Sequence, residues 1–193
     1  MAVEDQAKWD RQHASGSGAS EPSAFLRLAL ESAAWHVPRG RALDIACGKG
    51  RNALYLADRG FQVVAMDISG VALAEGRKRA EANGFAIVWR QTDLQNHQLD
   101  EAAFDCIVNI NYLQRPLIPR MKQAIKAGGH IIFETFLIDQ KNLGHPQNPD
   151  YLLGHNELLE QFRDFRVLFY REGKFDEDGE ASYRAGILAQ RIA

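Results

Sequence analysis

Short apolar runs alternate along this chain with segments that have the spacing of helices. Continuous apolar runs at 42–46, 61–66 and 104–110 are typical of strands buried on both faces of a sheet. Between 117 and 125, apolar side chains recur every four residues, which is the spacing of one helix face. The predicted strands are 42–46, 61–66, 85–89, 104–110, 130–136, 166–171 and 182–191, and the predicted helices are 22–35, 52–58, 70–83, 117–126 and 157–165.

Strands that alternate with helices indicate an α/β fold with a mostly parallel sheet and helices on both faces. Gly60, Gly84 and Gly128 each follow a predicted helix and are expected to end it. The last two of the seven strands have only the polar stretch 173–179 between them, which predicts a turn and an antiparallel hairpin. We therefore expect one antiparallel strand near the C-terminus.

The length of 193 residues, with 46% hydrophobic residues, suits one domain with a sizeable core. A small-residue stretch at 14–20 is rich in serine and glycine, which predicts a flexible link. Residues 8–13 before it look like a short ordered or semi-ordered arm, with a disordered arm as the alternative. The chain is therefore divided into an arm and link at 1–24 and a single domain at 25–193.

Charge and cysteine usage exclude several classes of protein. The formal charge of −2 makes a nucleic-acid backbone a poor partner, and the sequence contains no apolar run of membrane-spanning length. The acidic start is unlike a signal peptide, and Cys47 and Cys106 are interpreted as reduced thiols, so we expect a cytoplasmic protein. The six histidines lack metal-ligand spacing, so no metal site is predicted. The sequence does not indicate an oligomeric state.

The stretch 43–52, Leu-Asp-Ile-Ala-Cys-Gly-Lys-Gly-Arg-Asn, carries the strongest functional signal. It predicts a strand that enters a glycine turn and then a helix. Glycine has no Cβ, so a ligand can approach the backbone of the turn closely. The helix that follows presents unpaired N–H groups and a positive dipole end. The first strand-to-helix turn is therefore the predicted cofactor site, at the sheet edge where such folds bind ligands.

Two classes of cofactor compete for this turn. The spacing Gly48-x-Gly50-x-x-Ala53, followed about twenty residues later by Asp67, formally fits a dinucleotide fingerprint. However, Asp44 lies in the strand that leads into the turn, where a carboxylate attracts an ammonium group and repels a pyrophosphate. Alternatively, Asp44 is only a strand-end acid bonded to nearby backbone.

An adenine contact is predicted just after the third strand. The Asp93 carboxylate there can accept a hydrogen bond from an exocyclic amine, and Leu94 can pack on the ring or donate its backbone N–H. The competing interpretation is that Asp93 is a simple turn residue.

The set Asp44-x-Ala46-Cys47-Gly48-x-Gly50-Arg51, together with Asp67, Asp93 and Lys126-Ala127-Gly128-Gly129, resembles the class I S-adenosylmethionine-dependent methyltransferases. The similarity runs from about residue 42 to the end, and the tract 44–57 looks most like the small bacterial tellurite-resistance methyltransferases. The resemblance implies a Rossmann-like fold and S-adenosyl-L-methionine as the cofactor. Ala127 departs from the family, which usually has proline there, and this alters only the entry to the fifth strand.

The resemblance also implies roles for individual residues. Asp44 would orient the cofactor's amine, Asp67 would bind both ribose hydroxyls, and Asp93 with Leu94 would read the adenine edge. The full set of implied cofactor-binding residues, with Trp9 of the arm added as a residue that can fold over the cofactor, is Trp9, Asp44, Ala46, Cys47, Gly48, Gly50, Arg51, Asn52, Asp67, Ile68, Asp93, Leu94 and Asn109.

The acceptor side is expected to be built from the segments after the fourth and fifth strands. Tyr112 and Arg115 follow the fourth strand and are candidate substrate contacts, although Arg115 is equally well explained as a surface residue. Glu134 lies in an apolar strand, where a buried acid is costly unless it is paired or functional. It either lines the pocket or satisfies a neighbouring arginine. Tyr151 closes a long loop of the kind that often acts as a lid.

Together these features predict an enzyme that transfers a methyl group in line to a small molecule, such as a thiol, a metalloid oxyanion or another small nucleophile. The stretch 109–112 has the spacing of the Asn-Pro-Pro-Tyr loop of amino-methylating enzymes but lacks both prolines, which disfavours nucleobase methylation. Two alternatives remain from the sequence: a nicotinamide-dependent oxidoreductase, and a module that binds S-adenosylmethionine without catalysis.

Overall fold

A seven-stranded sheet runs through the protein in the order β3-β2-β1-β4-β5-β7-β6. The computed structural model describes residues 2–15, 20–177 and 180–192. The strands are β1 Arg41–Ile45, β2 Gln62–Asp67, β3 Ile87–Gln91, β4 Phe104–Ile110, β5 Ile125–Phe136, β6 Arg166–Glu177 and β7 Glu180–Gln190. β7 is antiparallel to both β5 and β6, and the other neighbouring pairs are parallel. The fold is therefore the predicted Rossmann-like α/β sheet with one antiparallel strand.

Helices cover both faces of the sheet. They are α1 Ala2–Ala14, α2 Ala24–Glu31, α3 Arg51–Asp58, α4 Gly70–Ala82, α5 Leu117–Ala124 and α6 Glu157–Gln161. Apolar side chains of α5 and α6 pack with one face of β1, β4 and β5 in one buried cluster. A second buried cluster joins α2, α3 and α4 to the opposite face. In the described part of the chain, no helix is long and apolar enough to cross a membrane.

The glycine pair after α5 has a different role from the predicted one. We expected a helix to Lys126 that ends at Gly128, but α5 ends at Ala124 and β5 begins at Ile125. Ile125 pairs with Phe104 of β4, and this pairing with the neighbouring strand takes the backbone out of the helix. Gly128 then has a φ of 77°, inside the strand, where the register between β4 and β5 shifts.

The C-terminal ribbon is longer than predicted. The polar stretch 173–179 was expected to form a turn, yet residues up to Glu177 continue β6 in pairing with β7. The last residues of that expected turn, 178–179, lie outside the described residues, as do 16–19 of the predicted flexible link. Two helices are shorter than predicted: 22–35 corresponds to α2, and 157–165 corresponds to α6.

His130 gives the fold a pH dependence. Its side chain is 1% exposed at the start of β5, and neither ring nitrogen has a hydrogen-bond partner. Burial, and secondarily the charge of His36, lower the pKa of His130 below its ordinary value. As the pH falls through about 6.5, His130 becomes protonated in the unfolded chain but stays neutral in the folded protein. His130 therefore lowers the free energy of unfolding in that pH range.

We expect the free energy of unfolding of His130→Leu, measured in urea relative to the unaltered protein, to increase between pH 7.5 and pH 5.5, because the variant lacks this proton uptake. The half-exposed His97→Leu is the control and should not gain in this way. A difference between His130→Leu and the unaltered protein that does not change with pH would contradict this account.

Candidate functional site

The carboxyl ends of β1, β2, β3 and β4 meet at one edge of the sheet, since these four strands are parallel. The residues that follow each strand, 46–50, 67–69, 92–94 and 109–112, are therefore neighbours in space. These segments contain most of the residues that the sequence predicts to bind a cofactor. α3 begins directly after the turn that follows β1 and directs its first backbone N–H groups towards this edge.

The turn after β1 has a tightly specified backbone. Gly48 and Gly50 have φ angles of 55° and 77°, in the left-handed region that glycine adopts without strain. Ala46 also has a positive φ, of 50°, which is uncommon for a residue with a Cβ. The Cys47 N–H donates to the Met66 carbonyl, and this bond fixes the start of the turn to β2. The conformation of this turn is therefore fixed by three positive φ angles and by a hydrogen bond to β2.

The indole of Trp89 in β3 packs against the glycine turn that follows β1, a contact that the sequence did not indicate. Its indole lies where a Cβ on Gly50 would be, and a Cβ on Gly76 of α4 would stand 2.6 Å from the same ring. Gly50 is thus required both by its positive φ and by the indole. A tryptophan on an edge strand carries no sequence signal for this contact, because it depends on the packing of α3 and α4 on β3.

Asp44 is the most unusual ionisable group at this edge. It is 1% exposed, and its Oδ2 atom has no hydrogen-bond partner. Burial raises the pKa of Asp44 to about 8, although the Ala53 backbone N–H and the charge of Arg51 act in the opposite direction. An unpaired buried carboxyl oxygen is costly. A cationic group placed beside it would remove that cost.

Asp67 fixes the two neighbouring turns relative to each other. Its Oδ2 accepts a hydrogen bond of 2.7 Å from the Gly48 N–H, and its Oδ1 accepts one of 2.8 Å from the Ser69 N–H. The side chain is buried. A carboxylate offers about four lone-pair positions, so each oxygen keeps capacity for a further donor, such as a sugar hydroxyl.

The predicted adenine contacts lie after β2 and β3. Leu94 is buried, whereas Ile68 and Asp93 are half-buried. Asp93 Oδ1 accepts a hydrogen bond of 2.9 Å from the Gln95 N–H, which is the turn contact that competed with the adenine interpretation. This bond occupies one oxygen of Asp93 and orients the carboxylate.

Asn109 lies at the end of β4, paired with Ile45 of β1. Its side-chain nitrogen donates to the Tyr112 carbonyl at 2.7 Å, while its Oδ1 atom is buried without a partner. The Asn109 oxygen and the Asp44 oxygen are thus two unpaired acceptors on adjacent strands.

Arg51 and Asn52 at the start of α3 bind the segment before α2, and Cys47 of the glycine turn is buried. The Arg51 guanidinium donates to the Glu21 carbonyl at 3.1 Å, and Asn52 Oδ1 accepts from the Ser23 N–H at 3.0 Å. Both side chains therefore hold the start of α2 beside α3. Cys47 is buried, and burial raises the pKa of its thiol well above the usual range, so the thiol is held in its unreactive protonated form.

Arg115 braces the segment that follows β5. Its guanidinium forms a two-point ion pair with Glu157, at 2.7 and 2.9 Å, and donates to the carbonyls of Asp150 and Leu152. These bonds hold the chain on either side of Tyr151, which is 51% exposed. Arg115 therefore positions the long loop.

Tyr112 points its hydroxyl at Gln114, with an O–O distance of 2.9 Å, and burial raises the pKa of Tyr112 to about 12. Tyr112 is therefore neutral at physiological pH and is able to donate a hydrogen bond. Its position directly after β4 puts it at the same sheet edge as Asn109.

Glu134 of β5 is paired with arginine. It is 2% exposed, and its Oε1 accepts a hydrogen bond of 2.7 Å from Arg171, with Arg184 3.7 Å from Oε2. Burial nevertheless raises the pKa of Glu134 above its ordinary value. Of the two interpretations that the sequence left open, the arginine partner is the one present here.

The N-terminal arm is a helix that lies across the site, which sequence reasoning anticipated only for Trp9. Asp10 and His13 of α1 reach the turns after β2 and β1, and Trp9 stacks on His13 with ring centroids 6.1 Å apart. Trp9 itself is 37% exposed. Among the described residues, no group of three or more metal-ligating side chains is assembled.

A family model matches the part of the chain that forms this edge of the sheet. Residues 42–129 match the family described as methyltransferase domain. This match starts at β1 and ends inside β5, so it contains all four turns that form the site edge, while α1 and α2 precede it.

Two curated relatives illustrate the range of similar sequences. The chain is 27% identical over 151 residues to a probable S-adenosyl-L-methionine-dependent methyltransferase TehB of Haemophilus influenzae, covering 72% of this chain and 52% of the relative. It is 32% identical over 101 residues to a ubiquinone biosynthesis O-methyltransferase of Alkalilimnicola ehrlichii, covering 49% of this chain and 41% of the relative. The chain thus spans about half the length of these relatives or less.

Solved structures share the fold. TehB from Haemophilus influenzae superposes with a TM-score of 0.69 at 24% identity, covering 86% of this chain and 65% of that protein. An S-adenosylmethionine-dependent methyltransferase from Mesorhizobium loti gives 0.69 at 20% identity, covering 90% of this chain and 99% of the other. The names of the curated TehB relative and of the Mesorhizobium loti protein both describe S-adenosylmethionine-dependent methyltransferases.

Proposed function

We propose that this protein transfers the methyl group of S-adenosyl-L-methionine to a small-molecule acceptor, because residues 42–129 match the methyltransferase-domain family and the curated relatives include a probable S-adenosyl-L-methionine-dependent methyltransferase. The acceptor would bind beside the segments that follow β4 and β5. The formal charge of −2 makes a nucleic-acid acceptor unfavourable.

The buried, unpaired oxygen of Asp44 is the observation that carries this proposal. The methionyl part of the cofactor has an ammonium group, which would supply both a charge and hydrogen-bond donors to Asp44. A dinucleotide would instead bring a pyrophosphate next to two buried acids, Asp44 and Asp67. A pyrophosphate has no cationic donor to offer the unpaired oxygen of Asp44, and its charge would oppose the ionised form of Asp44 that an ammonium group favours.

The remaining parts of the cofactor would follow the sheet edge. Asp67 would accept hydrogen bonds from the ribose hydroxyls, because its two oxygens are already fixed in place by Gly48 and Ser69. Ile68 and Leu94 would enclose the adenine, with Asp93 at its exocyclic amine. Asn109 would reach the methionyl chain through its unpaired oxygen.

When bound, the cofactor supplies a methyl group already activated on a sulfonium sulfur. The task of the protein is then to hold the acceptor in line with that methyl group and to exclude water. Tyr112 has a neutral hydroxyl for orienting an acceptor, and Arg115 keeps the loop that contains Tyr151 against the site. A soft nucleophile such as a thiol or a metalloid oxyanion needs little further help from a general base.

Calorimetry with S-adenosylhomocysteine and with NAD tests the cofactor. We expect the adenosyl compound to bind and NAD to fail. The variant Asp67→Ala should weaken binding of S-adenosylhomocysteine by about 1–3 kcal/mol, because a charged acceptor for hydroxyl donors is lost. As a matched control, Asp105→Ala removes a carboxylate at the other end of the sheet, where it pairs with Lys126, and should leave affinity unchanged. Binding of NAD alone would favour an oxidoreductase.

A screen for transfer of a labelled methyl group distinguishes an enzyme from a module that only binds the cofactor. The panel should contain thiols, metalloid oxyanions and small acids. We expect turnover on at least one class, and that class identifies the acceptor. Binding of the cofactor without transfer across the panel would favour the non-catalytic module.

A further inference from the structure

Helix α1 is fixed across the cofactor edge by side-chain bonds to two of its turns. Asp10 Oδ1 accepts hydrogen bonds from the Ser69 hydroxyl at 2.6 Å and from the Val71 N–H at 3.3 Å. Five residues earlier in α1, Asp5 Oδ2 accepts a hydrogen bond from the Gln95 side chain at 3.2 Å. Ser69 follows β2 and Gln95 follows β3, so α1 spans the region proposed for the ribose and the adenine.

The contact between Asp10 and Ser69 is of a strong kind. The Ser69 hydroxyl is the main cause that lowers the pKa of Asp10 below its ordinary value, so Asp10 is a carboxylate at physiological pH. Hydrogen bonds to charged acceptors are about twice as strong as neutral ones. Ser69 also caps α4, accepting from the Ala72 N–H at 3.1 Å. Asp10 therefore joins α1 to a rigid part of the domain.

His13, one turn after Asp10, covers the glycine turn. Its Cε1 atom lies 3.4 Å from the position that a Cβ on Gly48 would take. The ring is half-buried, and this burial lowers the pKa of His13 below its ordinary value, while the charge of Asp67 acts in the opposite direction. His13 thus lies above Gly48 and close to Asp67, which are the groups proposed to border the methionyl and ribose parts.

We propose that α1 is a lid over the cofactor site, in which His13 contacts the bound cofactor and Asp10 is the latch that holds the lid closed on Ser69. This inference rests on the proposed function. It adds a binding element that precedes the region matched by the family, which begins at residue 42. Exchange of the cofactor then requires α1 to separate from α4.

The experiment measures the affinity and the dissociation rate of S-adenosylhomocysteine for three variants of the full chain. We expect His13→Ala and Asp10→Ala each to raise the dissociation constant by about tenfold, the scale of one hydrogen bond to a charged group, mainly through faster dissociation. Asp10→Asn keeps an acceptor oxygen for Ser69 and should recover part of the loss. Arg11→Ala lies on the exposed side of the same helix and should behave as the unaltered protein.

Hydrogen exchange gives a second, independent measurement. The amides of α1 should become more protected when S-adenosylhomocysteine is added to the unaltered protein, and Asp10→Ala should lose that protection. Unchanged affinity in both His13→Ala and Asp10→Ala would overturn the lid, as would an α1 that is indifferent to ligand. Tighter binding by His13→Ala would also overturn it, because His13 would then be an obstruction. Failure of the unaltered protein to bind the ligand would remove the proposed function itself.

Discussion

Replacement of Asp44 by asparagine is expected to weaken binding of the cofactor strongly while it stabilises the unliganded protein. Asparagine has nearly the same shape, so the glycine turn should keep its conformation. However, the amide presents a neutral group to the cofactor's ammonium, and the charge attraction in a buried site is lost. We expect the dissociation constant for S-adenosylhomocysteine to rise by about a hundredfold or more.

The gain in stability follows from the titration of Asp44. In the unfolded chain this carboxyl ionises near pH 4, whereas in the folded protein burial raises its pKa to about 8. Between these values the unfolded state carries fewer protons, so stability is present at low pH and is lost as the pH rises. Asparagine does not titrate. At pH 8 the variant should therefore be more stable by an amount on the order of 3 kcal/mol.

Unfolding in urea at pH 5 and at pH 8, with calorimetry of ligand binding, checks both effects. The stability difference between Asp44→Asn and the unaltered protein should be larger at pH 8. Binding to the unaltered protein at pH 7 should also release a proton, because the ammonium favours the ionised form of Asp44. A variant that binds the ligand normally, or one that gains no stability at pH 8, would show that Asp44 has another role.

Removal of the Glu134 carboxylate is expected to cause the largest loss of stability. Glu134 lies between the guanidinium groups of Arg171 and Arg184, and the side chain of Arg171 is only 11% exposed. Arg171 also lies over the ring of Phe25, so its charge is held among apolar groups. Breaking a buried ion pair leaves an uncompensated charge and costs about 3–5 kcal/mol. We expect Glu134→Ala to lose about 3 kcal/mol, because Glu177 still pairs with Arg171.

Urea unfolding of Glu134→Ala and of the matched variant Glu177→Ala measures this directly. Glu177 binds the same arginine but is 32% exposed, so its removal should cost much less. Affinity for S-adenosylhomocysteine should be retained in both variants, since β5 lies beyond the proposed cofactor edge. Equal losses in the two variants would show that burial does not decide the strength of this cluster.

The strands at the centre of the sheet were predictable because their side chains are buried on both faces. β1, β2 and β4 agree with the predicted ranges within one residue at each end, since continuous apolar runs bounded by glycine or polar residues have few other structures available. The same pattern fails at the edge of the sheet. β6 continues through polar residues to Glu177 because it is held by pairing with β7 and not by burial in the core.

The start of β5 shows a different limit. Gly128 and Gly129 after a helical pattern favour a helix end, and nothing local indicates that Ile125 pairs with Phe104 instead. The backbone of Gly129 has the Asp105 carbonyl close by, at 3.0 Å from the position of a Cβ. Gly129 is required by this close approach of two strands that are distant in sequence, whereas Gly128 is required by its positive φ.

Some residues of the candidate site could likewise be predicted from the sequence, and others could not. Asp44, Gly48, Gly50 and Asp67 were recognisable because each lies at a fixed offset from a strand end. The roles of His13 and Asp10 were not, since they depend on where a separate helix docks. Arg115 was identified as polar and near the site, but its bonds to Glu157 and to loop carbonyls depend on a segment more than thirty residues further along the chain.

The indole beneath the glycine turn has a consequence for how this sequence can vary. Since the same ring occupies the space beside both Gly50 and Gly76, these three positions are expected to change together among homologues. A homologue with a small residue in place of Trp89 could carry alanine at position 76 in α4. A homologue that keeps Trp89 could not, because the indole fills that space. Position 50 would stay restricted to glycine by its backbone angle in either case, so the covariation should be strongest between positions 76 and 89.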